Sequence, residues 1–367
     1  MKLTYIKMRI AIKKILENFL IHMLTIFNVK KEITETDSIH KIVIPLFAGI
    51  GDTLIFTCCL QSLIDIFPKA DVTLITTKRT NNLLNETYPH FRYIHLRSML
   101  DMFLIKHDYD LMISPCRNMR HYLLALWIHP KYMIGYNYSL LIENGESHIL
   151  RANKILNQLG YHHFNSPMIS LSQETIDKSF QLIKDHINPL SRNPIALIIG
   201  GRWESKTYPA EKYRELAEKL IEKYDLDIVL LGTDFEMGNT IANGKKKIQN
   251  LTGVTTIQEV MGLIYQSRLV IGPDSGLLNM AIAMDKPIVG LFGPVDPHTI
   301  VPDKYLNCVL YQNKCELQPC FNEEYQPQCP YEKIPCMDFR VEDIISKVDE
   351  ILSLKKNRLS IQMITLK

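Results

Sequence analysis

Residues 41–67 read KIVIPLFAGIGDTLIFTCCLQSLIDIF, and their order decides the architecture. A short continuous apolar run, 41–47, stops at Gly49-Ile50-Gly51. A single acid, Asp52, precedes a second apolar stretch of helical length. An uninterrupted apolar run of this length suits a strand buried on both faces, and the segment after the glycines suits the crossover helix of a βαβ unit. Pro68 and Asp71 then mark a turn into DVTLITT, a second β-branched run.

Working outward, FRYIHL (91–96), YDLMISP (109–115), HYLLALWI (121–128) and KYMIGY (131–136) continue the alternation. It restarts with PIALIIGG (194–201), PAEKYRELAEKLIEKY (209–224, Pro209 in the first turn), DIVLLG, TIQEVMGLIYQS, RLVIG, GLLNMAIAM and PIVGLFG. Repeated strand–helix alternation predicts parallel sheets covered on both faces. At 367 residues two such domains are expected. The expected division is 1–36 as a basic amphipathic extension, 37–180 as the first Rossmann-like domain, 181–194 as linker, 195–340 as the second, and 341–367 as a final helix and tail.

Charge is unevenly spread. Residues 1–31 hold Lys2, Lys7, Arg9, Lys13, Lys14, Lys30 and Lys31 against Glu17, a local +6, while the whole chain is +3. A net charge this small does not argue for nucleic acid. ILENFLIHMLTIF (15–27) is too short and too interrupted to span a bilayer, and no small-residue cleavage site follows it. Two readings stay open: a basic helix on an anionic membrane surface, or a helix packed on its own protein.

Cys58, Cys59 and Cys116 lie in apolar surroundings and read as buried small residues. Cys308, Cys315, Cys320, Cys329 and Cys336 crowd into the loop 308–336. The spacing of the last four is not the paired C-x2-C of a zinc ribbon, so free thiols, disulfides and a nonstandard structural metal site compete.

In open parallel sheets ligands bind beyond the carboxyl ends of the strands. Four loops qualify here. Asp52 with Gly49 and Gly51 follows the first strand; the plain alternative for Asp52 is an N-terminal capping acid. GPDSG supplies Asp274, Ser275 and Gly276 at a helix start, either a phosphate cradle or a simple cap. GGRWESKTYP offers Arg202 and Lys206 as cations for a diphosphate, and GTDFE offers Asp234 and Glu236 for ribose hydroxyls. Lys78, Arg79, Arg117 and Arg120 follow strands of the first domain and suit acceptor phosphates, with plain surface charge as the alternative. The D-x-D sequences at 108–110 and 225–227 precede their strands, on the opposite edge, and read as turns. No full G-x-G-x-x-G follows a strand, which disfavours a dehydrogenase.

These residues carry a resemblance. IVIPLFAGIGDTLIFTCCLQSLIDIFPKADVTLIT, GGRWESKTYPAEKYRELAEKL and LVIGPDSGLLNMAIAMDKPIVGLFGPVDP together resemble glycosyltransferase family 9, the bacterial lipopolysaccharide heptosyltransferases. The resemblance spans roughly residues 40–350 and implies the GT-B fold: α/β, two tandem Rossmann-like doubly wound domains facing a central cleft. It implies Asp52 as general base, Lys206 as phosphate ligand, Glu236 as ribose ligand, and Asp274-Ser275-Gly276 as the donor diphosphate loop. The implied activity is inverting and metal-independent, needs no cofactor, and moves a sugar from a nucleoside-diphosphate sugar, with ADP-heptose leading, to a lipid-linked or core saccharide. The setting implied is cytoplasmic, at or near the inner face of the inner membrane. Two departures stand out: Asn279 where the family has His, and Tyr208-Pro209 where it has Trp-Pro. The rivals are a GT-B nucleotide-sugar hydrolase or epimerase, which needs no acceptor, and a noncatalytic carbohydrate-assembly protein.

Overall fold

The computed structural model describes residues 2–33, 38–116, 118–136, 145–186, 193–200, 203–320, 329–331 and 333–365. The chain divides into two compact units, Met1–Pro167 and Met168–Lys367.

The first unit runs α1 (Lys2–Ile26), β1 (Lys41–Pro45), α2 (Ile50–Ile66), β2 (Asp71–Thr76), β3 (Arg92–His95), β4 (Leu111–Ser114), α3 (Met119–Ile128), β5 (Tyr132–Gly135) and α4 (His148–Asn157). Its sheet has the order β3-β2-β1-β4-β5 with every pairing parallel. The apolar run that opened the sequence analysis is the central strand, and Ile42, Val43 and Ile44 are fully buried. The N-terminal extension is not a detached appendage. Leu24 is buried with Ile128 and Leu124 of α3, and Lys30 bridges to Tyr132 of the edge strand β5.

The second unit continues with α5 (Gln173–His186), β6 (Ile195–Ile198), α6 (Ala210–Tyr224), β7 (Ile228–Leu231), α7 (Phe235–Ala242), β8 (Ile248–Asn250), α8 (Ile257–Gln266), β9 (Leu269–Pro273), α9 (Gly276–Ala283), β10 (Ile288–Phe292), α10 (Asp303–Leu306), β11 (Val309–Tyr311) and α11 (Val341–Thr365). Its sheet is also all parallel, ordered β11-β10-β9-β6-β7-β8.

The boundary between units falls earlier than the expected 181–194. α5 belongs to the second unit because it seats on α8: the Gln266 amide donates to Ser179 Oγ at 3.3 Å, and a Cβ on Gly262 would stand 2.3 Å from that of Ser179. Just before α5, Ile169 N–H donates to Ala283 O at 3.0 Å. Pro209 stands at the N-cap of α6, one place before the expected first turn.

α11 closes the second unit against α6, with Val341, Ile344, Val348 and Ile351 in the core and Tyr224 Oη 2.6 Å from Asp349 Oδ1.

Candidate functional site

Strand order locates a binding edge in each unit. In the first sheet the chain runs outward from β1 through β2 to β3, then returns to the other side of β1 as β4. In the second it runs from β6 through β7 to β8 and returns beside β6 as β9. Loops leaving the carboxyl ends of neighbouring strands diverge at such a reversal and leave a crevice.

At the β1/β4 reversal the glycine turn feeds directly into α2. Gly49 is the N-cap, and the Asp52 carboxylate accepts the Gly49 N–H at 3.2 Å. Asp52 therefore lies in the first turn of α2 rather than in the loop, exposed, while Gly51 is half-buried. It makes the capping contact that was the plain reading of an acid here. The neighbouring loops are tied down. Thr80, after β2, donates to Leu46 O at 3.0 Å and accepts from Thr77 N–H at 3.0 Å. Across the reversal, Asn118 Nδ2 reaches Phe47 O at 3.5 Å, and the Asn118 carbonyl oxygen of the side chain caps α3 through Arg120 N–H. His121 is fully buried, with Nδ1 2.7 Å from Ser114 Oγ and its ring 5.4 Å from that of Phe47. Burial drives its pKa down from the usual 6.5 to about 3, so it is a neutral strut between β1 and β4. Lys78, Arg79 and Arg120 stand exposed around this edge. Arg117 lies outside the described residues.

The β6/β9 reversal is organised differently. Lys206, on a short 3-10 turn after β6, pairs with Asp274, the residue after β9, at 2.6 Å. Both side chains are largely withdrawn from water, 12% and 9% exposed. Ser275 is the N-cap of α9, its Oγ accepting from Leu278 N–H at 3.3 Å, and Gly276 is the first helical residue. The N-terminus of α9 thus opens at the crevice beside a fixed cation. Asn279, one turn into α9, is 9% exposed. After β7, the adjacent strand, Asp234 caps α7 by accepting from Met237 N–H at 2.9 Å, and Glu236 stands exposed in the first turn of that helix. Gly232 permits the close approach of loops: its φ is +148°, and a Cβ there would meet Ile199 O at 2.3 Å. Arg202 lies outside the described residues.

The D-x-D acids are at the amino edge, as their position before the strands implied. Asp108 pairs with Lys41 at 2.6 Å, Asp110 accepts from His40 and Lys41 N–H, and Asp225 takes the left-handed C-cap of α6. Cys58 and Cys59 are fully buried; burial pushes the Cys58 thiol up to about 12 and Cys59 well above the usual range, so both are packing residues. In the loop before α11, burial raises Cys336 to about 12, with Cys320, Cys329 and Cys315 adding to the shift. Cys336 packs on Gly293, where a Cβ would come 2.9 Å from its Sγ. Among the described residues no group of three or more His, Cys, Asp or Glu is placed to hold a metal ion.

Comparison with known proteins supplies the family. Residues 127–330, more than half of the chain, match the description glycosyltransferase family 9 (heptosyltransferase). The chain belongs to this family. Lipopolysaccharide heptosyltransferase 2 of Salmonella typhimurium is 35% identical over 105 residues, a match spanning 27% of this chain and 30% of that protein. The shared segment is thus under a third of the relative's length. Among solved structures, E. coli ADP-heptose lps heptosyltransferase II is 18% identical with a TM-score of 0.68, covering 86% of this chain and 99% of that one. E. coli heptosyltransferase WaaC with ADP is 17% identical, TM-score 0.56, covering 71% and 89%. These likenesses establish the fold: family 9 chains of this kind are GT-B proteins, and the two parallel α/β units here are that architecture.

Sequence reasoning placed Lys206 and Asp274 on the same edge and said nothing of their pairing, and it passed over Thr80, Asn118 and His121. The signal for His121 was present: a His in the first turn of an otherwise apolar helix, HYLLALWI, needs a partner.

Proposed function

We propose that the protein is an inverting glycosyltransferase that moves a sugar, heptose from ADP-heptose as leading donor, onto a lipopolysaccharide core or related saccharide. The observation that carries this reading is the Lys206–Asp274 pair at the β6/β9 reversal, beside the capped N-terminus of α9. A fixed ammonium and a row of helix N–H groups suit a nucleoside diphosphate, and family membership points to a sugar nucleotide. The heptosyltransferase structure solved with ADP supports an adenine nucleotide here. Glu236, exposed in the first turn of α7, would accept from ribose hydroxyls, and the Asn279 amide would face the donor.

In the proposed reaction Asp52 takes the acceptor hydroxyl's proton as the oxygen attacks the anomeric carbon and the bond to the diphosphate breaks with inversion. A carboxylate can take this proton because the attacking hydroxyl becomes acidic late in the step. Lys206 and the α9 N–H groups hold the charge that develops on the leaving diphosphate, the work a metal ion performs in other transferases. Arg202 belongs to the same donor set, and Lys78, Arg79, Arg117 and Arg120, with the Gly49–Gly51 turn, to the acceptor set. The expected setting is cytoplasmic.

Calorimetric titration with ADP-heptose, ADP, UDP and GDP tests the donor half, using wild type and Lys206→Ala. Selective binding of adenine nucleotides, lost in the variant, is the expected result. Failure of every nucleotide to bind would sink the reading. Sugar release without acceptor would replace it with a hydrolase.

A further inference from the structure

The sequence left two readings of the N-terminal helix open, and the structure shows both faces. One side of α1 packs inward through Glu17, Leu20, Ile21 and Leu24. A second side is apolar and exposed: Met8, Ile12, Ile15, Phe19 and Ile26 recur at spacings of four, three, four and seven, one stripe of a helix, with Ile15 67% and Phe19 57% exposed. Packing on its own protein therefore uses only part of the helix.

The stripe does not end with α1. Phe27 meets His129 edge-on at 5.0 Å, His129 stacks on His107 at 6.2 Å, His107 meets Trp127 at 4.5 Å, and Trp127 meets Phe103 at 5.1 Å. This chain of rings leads to the 3-10 turn Met99–Leu104, where Leu100 and Leu104 are 73% and 82% exposed. Helix, ring chain and turn share one underlying core cluster, which contains Leu24, Met102, Ile105 and Ile128. An apolar surface of this extent on a soluble chain marks an interaction site.

We infer that this face of the first unit lies on an anionic lipid surface. Charge selects the occupant. The segment carrying the stripe holds seven basic residues against one acid, so two copies packed face to face would juxtapose +6 with +6. Anionic headgroups neutralise the lysines while the exposed side chains enter the headgroup boundary, and aromatic rings suit that depth. No helix among the described residues is long and apolar enough to cross a membrane, so the contact is in the plane of the surface. This face is independent of the donor and acceptor groups of the proposed transferase. A chain that binds vesicles but no nucleotide keeps it and loses the transferase reading, and the reverse also holds.

Sedimentation of the full chain with vesicles tests it, using phosphatidylcholine mixed with phosphatidylglycerol and phosphatidylcholine alone. Expected is salt-sensitive binding to the anionic vesicles and little to the neutral ones. Lys13→Glu with Lys30→Glu should weaken it at least about 25-fold, roughly fivefold for each lysine charge lost. Ile15→Gln with Phe19→Gln, both at exposed positions, should weaken it while melting temperature and lipid-free hydrodynamics stay unchanged. Three results overturn the inference. They are no binding to anionic vesicles, binding indifferent to Ile15→Gln/Phe19→Gln, and a lipid-free dimer that those substitutions disperse, which would assign the face to a second copy.

Discussion

The two units reverse strand order in the same way and furnish the two reversals differently. At β6/β9 the charged groups face each other: Lys206 and Asp274 are paired and nearly buried. At β1/β4 they face water: Asp52 is exposed in its own helix turn, and Lys78, Arg79 and Arg120 are exposed on the loops and helix start that follow β2 and β4. A paired, desolvated site is preorganised for one ligand charge pattern, whereas exposed groups are arranged by the ligand that arrives. The difference teaches that stability and chemistry should separate between the units. Substitutions that break the Lys206–Asp274 pair should move both; those at Asp52 should move chemistry alone.

The largest expected effect tests that separation. Asp52→Asn keeps an oxygen for the Gly49 N–H and should cost under about 1 kcal/mol of stability. Sugar transfer should fall roughly 10²–10⁴-fold with nucleotide affinity unchanged. Transfer assays and calorimetry on one preparation check this, and an active Asp52→Asn protein would remove the base from the first unit.

Next is the ion pair itself. Lys206→Ala leaves the largely buried Asp274 without its counter-ion, and should cost about 3 kcal/mol in denaturant unfolding of the second unit, besides abolishing nucleotide binding. Adding Asp274→Asn should recover part of the stability but not the binding. If the single and double variants unfold alike, the pair is not what distinguishes the two reversals.

The first unit has a buried group too, though not one that faces ligand. His121 is held near pKa 3 against 6.5 when unfolded, so its contribution is complete above pH 6.5 and lost as pH falls below it, because only the unfolded chain takes up the proton. Between pH 6.5 and 5 this amounts to about 2 kcal/mol. Urea unfolding of wild type and His121→Phe across that interval should show a flatter pH slope in the variant.

How much of this was legible follows from where each element sits. β1, β4, β6 and β9 were readable because central parallel strands are apolar on both faces. β8 and β11 were not: each is three residues long and lies at an edge of the second sheet, half-covered, so Ile248-Gln249-Asn250 carries no run to see. α5, Gln173–His186, straddles the expected limit between the first domain and the linker but belongs to the second unit, since an apolar face does not say which surface it covers. The site loops were legible because a reversal must lie at carboxyl strand ends. The Lys206–Asp274 contact joins residues 68 apart, and only the β6–β9 pairing brings them together.

The smallest effect compares the two caps. α2 is capped by the Asp52 carboxylate on Gly49 N–H, a charged group proposed to be needed in chemistry, and α9 by the neutral Ser275 hydroxyl on Leu278 N–H. A neutral cap adds no negative charge to the electropositive end of α9, where the adjacent Asp274 is already paired with Lys206, and this favours an arriving diphosphate. Ser275→Asp should therefore keep the cap, leave unfolding within about 0.5 kcal/mol of wild type, and still weaken nucleotide binding by placing a second carboxylate beside Asp274. Ser275→Ala should do the opposite, costing about 1 kcal/mol of stability with a smaller loss of affinity. Nucleotide titration and denaturant melts of the two variants separate the outcomes, and equal nucleotide affinity in both would mean that the diphosphate does not sit at the end of α9.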